Sequence, residues 1–151
     1  MNREKLKQQL IVDEGYRGSV YRDTIGMLTV GIGHLVLPSD NLAYGQYVDN
    51  KGVMDMFEHD IVHAEIGCRA LVKDFDTLPD DVQGVLINMC FNLGAPRLKD
   101  FKKFLAAVSA RDFKAAAQEM KDSIWYKQVK SRGARLYSIM NNATINKGET
   151  V

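Results

Sequence analysis

The segment 82–93, VQGVLINMCFNL, constrains this chain more than any other. It is apolar nearly all round as a helix, and such a helix is normally buried in the middle of a bundle. Pro79, Asp80 and Asp81 mark its start, because proline suits a first helical turn and acids suit the N-terminal end of the helix dipole. Gly94-Ala95-Pro96 ends it. Helices to surround it are expected at about 98–108, 111–122 and 131–141, and the tail 145–151, INKGETV, is expected to fray.

The first half reads differently. Residues 3–14 suit a helix with Leu6, Leu10 and Ile11 as a short apolar stripe, and Gly15 can cap its end, which places Glu14 at the helix C-terminus. Over 17–34 the strand formers Val20, Tyr21, Leu28, Val30 and Ile32 alternate with glycines, which predicts a hairpin. A three-residue turn, Ile25–Met27, would pair Thr24 with Leu28 and Asp23 with Thr29. Residues 35–51 read as loop with at most one more short strand. From about Gly52, Met54, Phe57, Ile61, Ala64, Cys68 and Leu71 follow a helical stripe, and residues 74–78 break it. A helix of about 20 residues spans about 30 Å, enough to link two lobes. The expected architecture is a single α+β domain over 1–151. It has a small N-terminal lobe with a β-hairpin (about 1–52), a long connecting helix (about 53–72) and an all-helical C-terminal lobe (about 79–151). A cleft between the lobes would be the natural place for a polymer ligand.

At 151 residues, with 46% hydrophobic and 26% charged residues, a core forms without disulfides or structural metal. Cys68 and Cys90 fall in apolar helical patterns and are expected as buried free thiols, which fits synthesis in a reducing compartment. His34, His59 and His63 make no zinc spacing with them, and the His59/His63 pair suits a solvated helix face. The N-terminal stretch MNREKLKQQLIVDEG has no apolar run long enough for a signal peptide or membrane span. Net charge is +1, but residues 1–78 carry 8 Lys+Arg against 12 Asp+Glu (−4) and residues 79–151 carry 12 against 7 (+5). A basic second half favours an anionic polymer or surface; no nucleic-acid motif accompanies it, and solvated helix faces account for it equally well.

Three polar residues stand out by position. The negative end of the helix dipole opposes ionisation of Glu14, as a general acid requires. Asp23 and Thr29, opposed across the expected hairpin, would share a sheet face and hold a water between a carboxylate and a hydroxyl. That set suits inverting glycoside hydrolysis, with carboxyls roughly 6.5–9.5 Å apart. Each residue also has a plain structural reading: a surface acid, a turn-flanking aspartate and a strand threonine. Spacing alone does not choose between them.

The runs Asp13-Glu14-Gly15, Val20-Tyr21-Arg22-Asp23-Thr24 and Leu28-Thr29-Val30-Gly31-Ile32-Gly33-His34 resemble the phage-lysozyme family, glycoside hydrolase family 24. Its E-x8-D-x5-T pattern is matched by Glu14, Asp23 and Thr29. The likeness continues through 86–94, LINMCFNLG, and Trp125-Tyr126 to Arg132 and Arg135, covering about residues 5–140. The resemblance implies a lysozyme-like fold and cleavage of the β-1,4 bond between N-acetylmuramic acid and N-acetylglucosamine in peptidoglycan. It implies no metal or organic cofactor. Glu14 would be the acid, Asp23 the base and Thr29 the residue that orients the water; Leu35 and Phe91 match sugar-contacting positions. The loop 36–51 departs from the family, and Phe104 stands where members can carry a small polar residue on the glycan. Two ion pairs are expected: Arg132 with Glu14 across the lobes, and His34 with Asp60 as a structural pair that raises the His34 pKa. Trp125 is expected in the core. The implied protein is an endolysin made in the host bacterial cytoplasm, a monomer by default. It would bind no nucleic acid and insert stably in no membrane, and it would reach the wall after a holin opens the membrane. A lytic transglycosylase and a non-catalytic peptidoglycan-binding protein are the rival readings.

Overall fold

The computed structural model describes residues 1–144; the tail 145–151, expected to fray, lies outside them. The chain divides into two compact units, one of Arg3–His63 and one of Met1–Asn2 with Ala64 onward. Among the described residues there are eight α-helices and one three-stranded antiparallel sheet, the expected α+β class.

The Arg3–His63 unit begins with α1 (Arg3–Glu14), which buries Leu6 and Leu10, one turn apart on one face. Gly15, at φ +77°, ends it with its amide donating to the Ile11 carbonyl at 2.8 Å. Strands β1 (Arg17–Arg22), β2 (Leu28–Gly31) and β3 (His34–Leu35) pair in chain order. The free edge of β1 takes the 46–48 segment: Val20 N–H donates to Gln46 O at 2.9 Å and Val48 N–H to Gly18 O at 2.7 Å. The loop 35–51 therefore contributes the second residue of β3, a 3-10 turn at Pro38–Asp40 and an isolated Ser19–Tyr47 bridge.

The hairpin register differs from the expected one. Thr29 pairs with Tyr21 and Leu28 with Arg22, so Asp23 lies in a five-residue turn (23–27) and does not face Thr29. The cause is the Asp23 side chain. Its Oδ1 accepts the Ile25 and Met27 amides at 3.0 and 2.8 Å, while its own amide donates to Met27 O at 2.9 Å. A side-chain oxygen thus takes the place of a main-chain partner and lengthens the turn by two residues at its N-terminal end.

Helix α2 (Asn50–Leu71) runs from one unit into the other. Its buried stripe is Val53, Phe57, Ile61, Ala64 and Cys68; Met54 and Leu71, expected in it, are only half-buried. The stripe starts one residue earlier than expected because Val53, four before Phe57, lies on its face.

In the second unit, α3 (Asp80–Leu93) is buried on nearly every side, from Val82 to Leu93, as its composition requires. Its buried amides are satisfied: Gln83 donates to Leu78 O at 2.9 Å, and Asn88 Oδ1 accepts from Arg132 Nε at 2.9 Å. The 98–108 helix expected from sequence is two, α4 (Ala95–Lys99) and α5 (Lys102–Ser109). Then come α6 (Phe113–Lys121), α7 (Ile124–Val129), which was not foreseen, and α8 (Ser131–Asn141). Ser123 starts α7 by accepting the Tyr126 amide at 3.1 Å. Helix α6 packs against α5 and α8. Trp125 is in the core as expected, its Nε1 donating to Asn92 Oδ1 at 2.8 Å. Cys68 and Cys90 are buried free thiols, and their mutual hydrogen bond, with burial, pushes the Cys68 thiol up. No helix among the described residues is long and apolar enough to cross a membrane.

Lys130 joins α7 to α8 at φ 55°, ψ −118°, a backbone conformation that side chains disfavour. Lys130→Gly is expected to relieve that strain and raise stability by about 1 kcal/mol, or about 2–4 °C in a thermal melt.

Candidate active site

Glu14, Asp23 and Thr29 all belong to the Arg3–His63 unit. Glu14 is the last residue of α1, half-buried, with its Oε2 atom shielded from solvent. It therefore sits at the partially negative end of the helix.

Asp23 divides its carboxylate between two tasks. Both turn-holding hydrogen bonds fall on Oδ1, and Oδ2 takes no part in holding the turn. Thr29, buried at 6% exposure, donates its hydroxyl proton to Met27 O at 3.0 Å. The Met27 peptide is thus the common partner: its amide holds Asp23 and its carbonyl orients Thr29. The sequence had joined these two residues as a cross-strand pair. The structure joins them through the turn. Because the Thr29 proton is committed to Met27, its Oγ1 offers lone pairs as an acceptor.

His34 is buried between two carboxylates. Nδ1 lies 2.7 Å from Asp60 Oδ2, the expected partner, and Nε2 lies 2.9 Å from Asp40 Oδ2. Asp40 was not foreseen. The same Asp40 oxygen accepts the Leu37 amide at 2.7 Å, an arrangement that the Pro38–Asp40 turn builds. The hydrogen bond to Asp60 raises the His34 pKa, burial lowers it and the Asp40 bond raises it again, leaving it at about 9. Burial raises the Asp40 pKa, but the Leu37 amide and His34 outweigh it and leave the carboxyl below its ordinary value.

The remaining expected site residues divide between the two units. Leu35, in β3, is 47% exposed and so open to contact, whereas Phe91, in α3, is half-buried. Arg132, in α8, is buried with its Nε on Asn88. Phe104 is 1% exposed, with the Phe101 ring edge-on at 6.3 Å. An open groove of about 680 Å³ in the second unit is lined by Arg97, Lys102, Lys103, Glu119 and Trp125 among others. No cluster of three or more His, Cys, Asp or Glu side chains among the described residues is arranged to hold a metal ion.

A glutamate at a helix end, an aspartate with one oxygen withheld from its turn and a threonine presenting lone pairs are residue types that acid–base cleavage of a glycosidic bond can use. Residues 12–143 match the family model described as phage lysozyme, and the chain belongs to that family; it is a glycoside hydrolase. It is 27% identical over 163 residues to "Probable T4-type lysozyme 1" of Dictyostelium discoideum, covering 93% of this chain and 96% of that one. It is 30% identical over 156 residues to the "Pre-baseplate central spike protein Gp5" of Enterobacteria phage T4, covering 89% of this chain and 27% of that one. A third relative, "Peptidoglycan hydrolase gp36" of Pseudomonas phage phiKMV, is 30% identical over 127 residues, 83% of this chain and 14% of that one.

Two predictions follow from the geometry. Asp23→Asn keeps the Oδ1 acceptor and should leave the melting temperature nearly unchanged, whereas Asp23→Ala loses both turn bonds and should cost about 1–2 kcal/mol in urea unfolding. The His34 pKa is raised on folding, so its stabilisation is complete below its ordinary value near 6.5 and disappears as pH rises through about 9. His34→Asn should lose about 2 kcal/mol near pH 6, after allowance for solvent screening, and abolish the decline between 6.5 and about 9 in pH-dependent unfolding.

Proposed function

We propose that this protein hydrolyses the β-1,4 bond between N-acetylmuramic acid and N-acetylglucosamine in bacterial peptidoglycan, with inversion. The glutamic acid at the end of α1 gives its proton to the glycosidic oxygen as the bond to the muramic acid C1 breaks. A water attacks C1 from the opposite face. It donates one hydrogen to Thr29 Oγ1 and the other to Asp23 Oδ2, which leaves an oxygen lone pair aimed at C1; Asp23 takes up the proton as the new bond forms. The products are a reducing muramic end and a free 4-hydroxyl. Glu14 ends as carboxylate and Asp23 as acid, and exchange with solvent resets both.

The observation that carries this reading is the sharing of Met27 between Asp23 and Thr29. It commits one Asp23 oxygen and the Thr29 proton to the turn, which suits the remaining oxygen and lone pairs to a single water. Leu35 and Phe91 are the proposed sugar contacts. In this reading the protein is an endolysin. It is made in the bacterial cytoplasm, acts on the wall once a holin has opened the membrane, and causes lysis of the host.

The test is product analysis of purified peptidoglycan by mass spectrometry and proton NMR. Wild type should yield reducing muramic ends that appear first as the α-anomer, and Glu14→Gln should lower kcat at least about 10²-fold while folding normally. Anhydro-muramic ends would assign a lytic transglycosylase instead. Binding to sacculi without cleavage would assign a binding protein.

A further inference from the structure

Gly31 and Gly33 flank Ile32 where β2 gives way to β3, at φ +67° and +66°. Left-handed backbone favours glycine at both positions. Their surroundings differ. A Cβ on Gly31 would lie 3.0 Å from Val53 Cγ1, an aliphatic contact with α2. A Cβ on Gly33 would lie 2.8 Å from Glu14 Oε1 and 3.1 Å from both Glu14 Cβ and Cδ. The bare Cα of Gly33 therefore lies against the glutamate from its root to its carboxyl.

We infer that Gly33 is a positioning residue, whose missing side chain leaves the place in which the Glu14 carboxyl rests. The inference builds on the reading of Glu14 as the general acid. A helix end fixes the Cα and Cβ of a glutamate but leaves three side-chain torsions, the last of them broad. Neighbouring surfaces must choose among their settings. Gly33 supplies one such surface, and it is pinned in turn: the next residue, His34, is held at both ring nitrogens. An added methyl at 33 meets the Glu14 carboxyl most closely, at Oε1, and the helix-held Cβ at 3.1 Å, so the carboxyl moves furthest while the turn gives by a few tenths of an ångström. An added methyl at 31 meets Val53 and leaves the carboxyl where it is. A general acid has to stand within hydrogen-bond reach of the leaving oxygen, and a displacement of about 1 Å is worth about 10²-fold in rate.

The two glycines form a matched experiment, with similar backbone strain and different neighbours. Gly33→Ala and Gly31→Ala are compared with wild type for melting temperature, for kcat and KM on soluble peptidoglycan fragments, and for the carbon-13 resonance of the Glu14 carboxyl. Gly33→Asn and Gly31→Asn repeat the comparison, because asparagine tolerates left-handed backbone better than alanine and so safeguards folding. Both positions should lose several degrees of melting temperature. Substitution at 33 alone should lower kcat about 10²-fold with KM little changed, and shift the Glu14 resonance. Equal losses of kcat at 31 and 33, or an unmoved Glu14 resonance in the Gly33 variants, would overturn the inference while an active wild type leaves the proposed function standing. A wild type that releases no reducing ends would instead defeat the proposed function, and the resonance, read without turnover, would still decide the place of Gly33.

Discussion

His34 carries its charge between two carboxylates that come from different parts of the chain, Asp60 from the long helix α2 and Asp40 from the turn before it. Its magnitude separates it from the other ion pairs. The Lys51–Asp55 pair is equally short, at 2.8 Å, but its side chains are 84% and 66% exposed, and pairs of that kind contribute little. The His34 side chain is 9% exposed, and its affinity for a proton rises to about 9, so the field of the two acids outweighs the cost of burying the ring. One residue thereby ties β3, the 38–40 turn and α2 together. Gly33 precedes it and Val30 pairs with it, so the corner of the sheet that touches Glu14 inherits its position from this charge cluster.

The second constraint is the economy of the Asp23 turn. A carboxylate that accepted turn hydrogen bonds on both oxygens would be well held and of little use as a base. One with no such bonds would be free and badly placed. Committing Oδ1 twice, to Ile25 and Met27, fixes the plane of the carboxylate while leaving Oδ2 outside the turn. Thr29 follows the same logic with fewer atoms, since giving its proton to Met27 O fixes the direction of its lone pairs. A water that donates to both acceptors is left with its nucleophilic side free. That is the requirement of an inverting mechanism, where no covalent intermediate relieves the water of being placed correctly at the moment of attack.

Helical periodicity was legible wherever a stripe ran for three turns or more. The spans of α1 and α8 and the all-round burial of α3 were read from apolar spacing, with Gly15 marking where α1 ends. Short elements were not legible. Helix α7 has six residues, too few for a period to emerge, and its one signal was Ser123 as a cap. The break between α4 and α5 at Asp100–Phe101 has neither glycine nor proline to announce it. The hairpin register failed for a different reason. Turn-length rules count main-chain hydrogen bonds, and here a side-chain oxygen replaced one. Asp40 went unseen because a carboxylate in an aperiodic loop carries no pattern until the fold brings a histidine to it. The proposed catalytic trio came from family resemblance; the spacing of 14, 23 and 29 alone also fitted three ordinary surface and strand residues.

The trio and every contact described as holding it lie within the 61 residues from Arg3 to His63. Its members are neighbours in sequence, and the turn at 23–27 holds Asp23 and Thr29 through Met27. The second unit builds its core from different material, the surrounded helix α3 and the α5–α6–α8 packing, and Arg132 satisfies the buried Asn88 amide there. Core substitutions there, such as at Met120 or Met140, act on how much folded protein exists, because deleting buried methylenes costs about 2–5 kcal/mol for each large-to-small change. Substitutions in the 23–34 segment act on stability and on the proposed chemistry together, because half-ångström shifts in carboxylate position are felt directly in a barrier. Stability is therefore drawn from both stretches of the chain, and the proposed chemistry from the first.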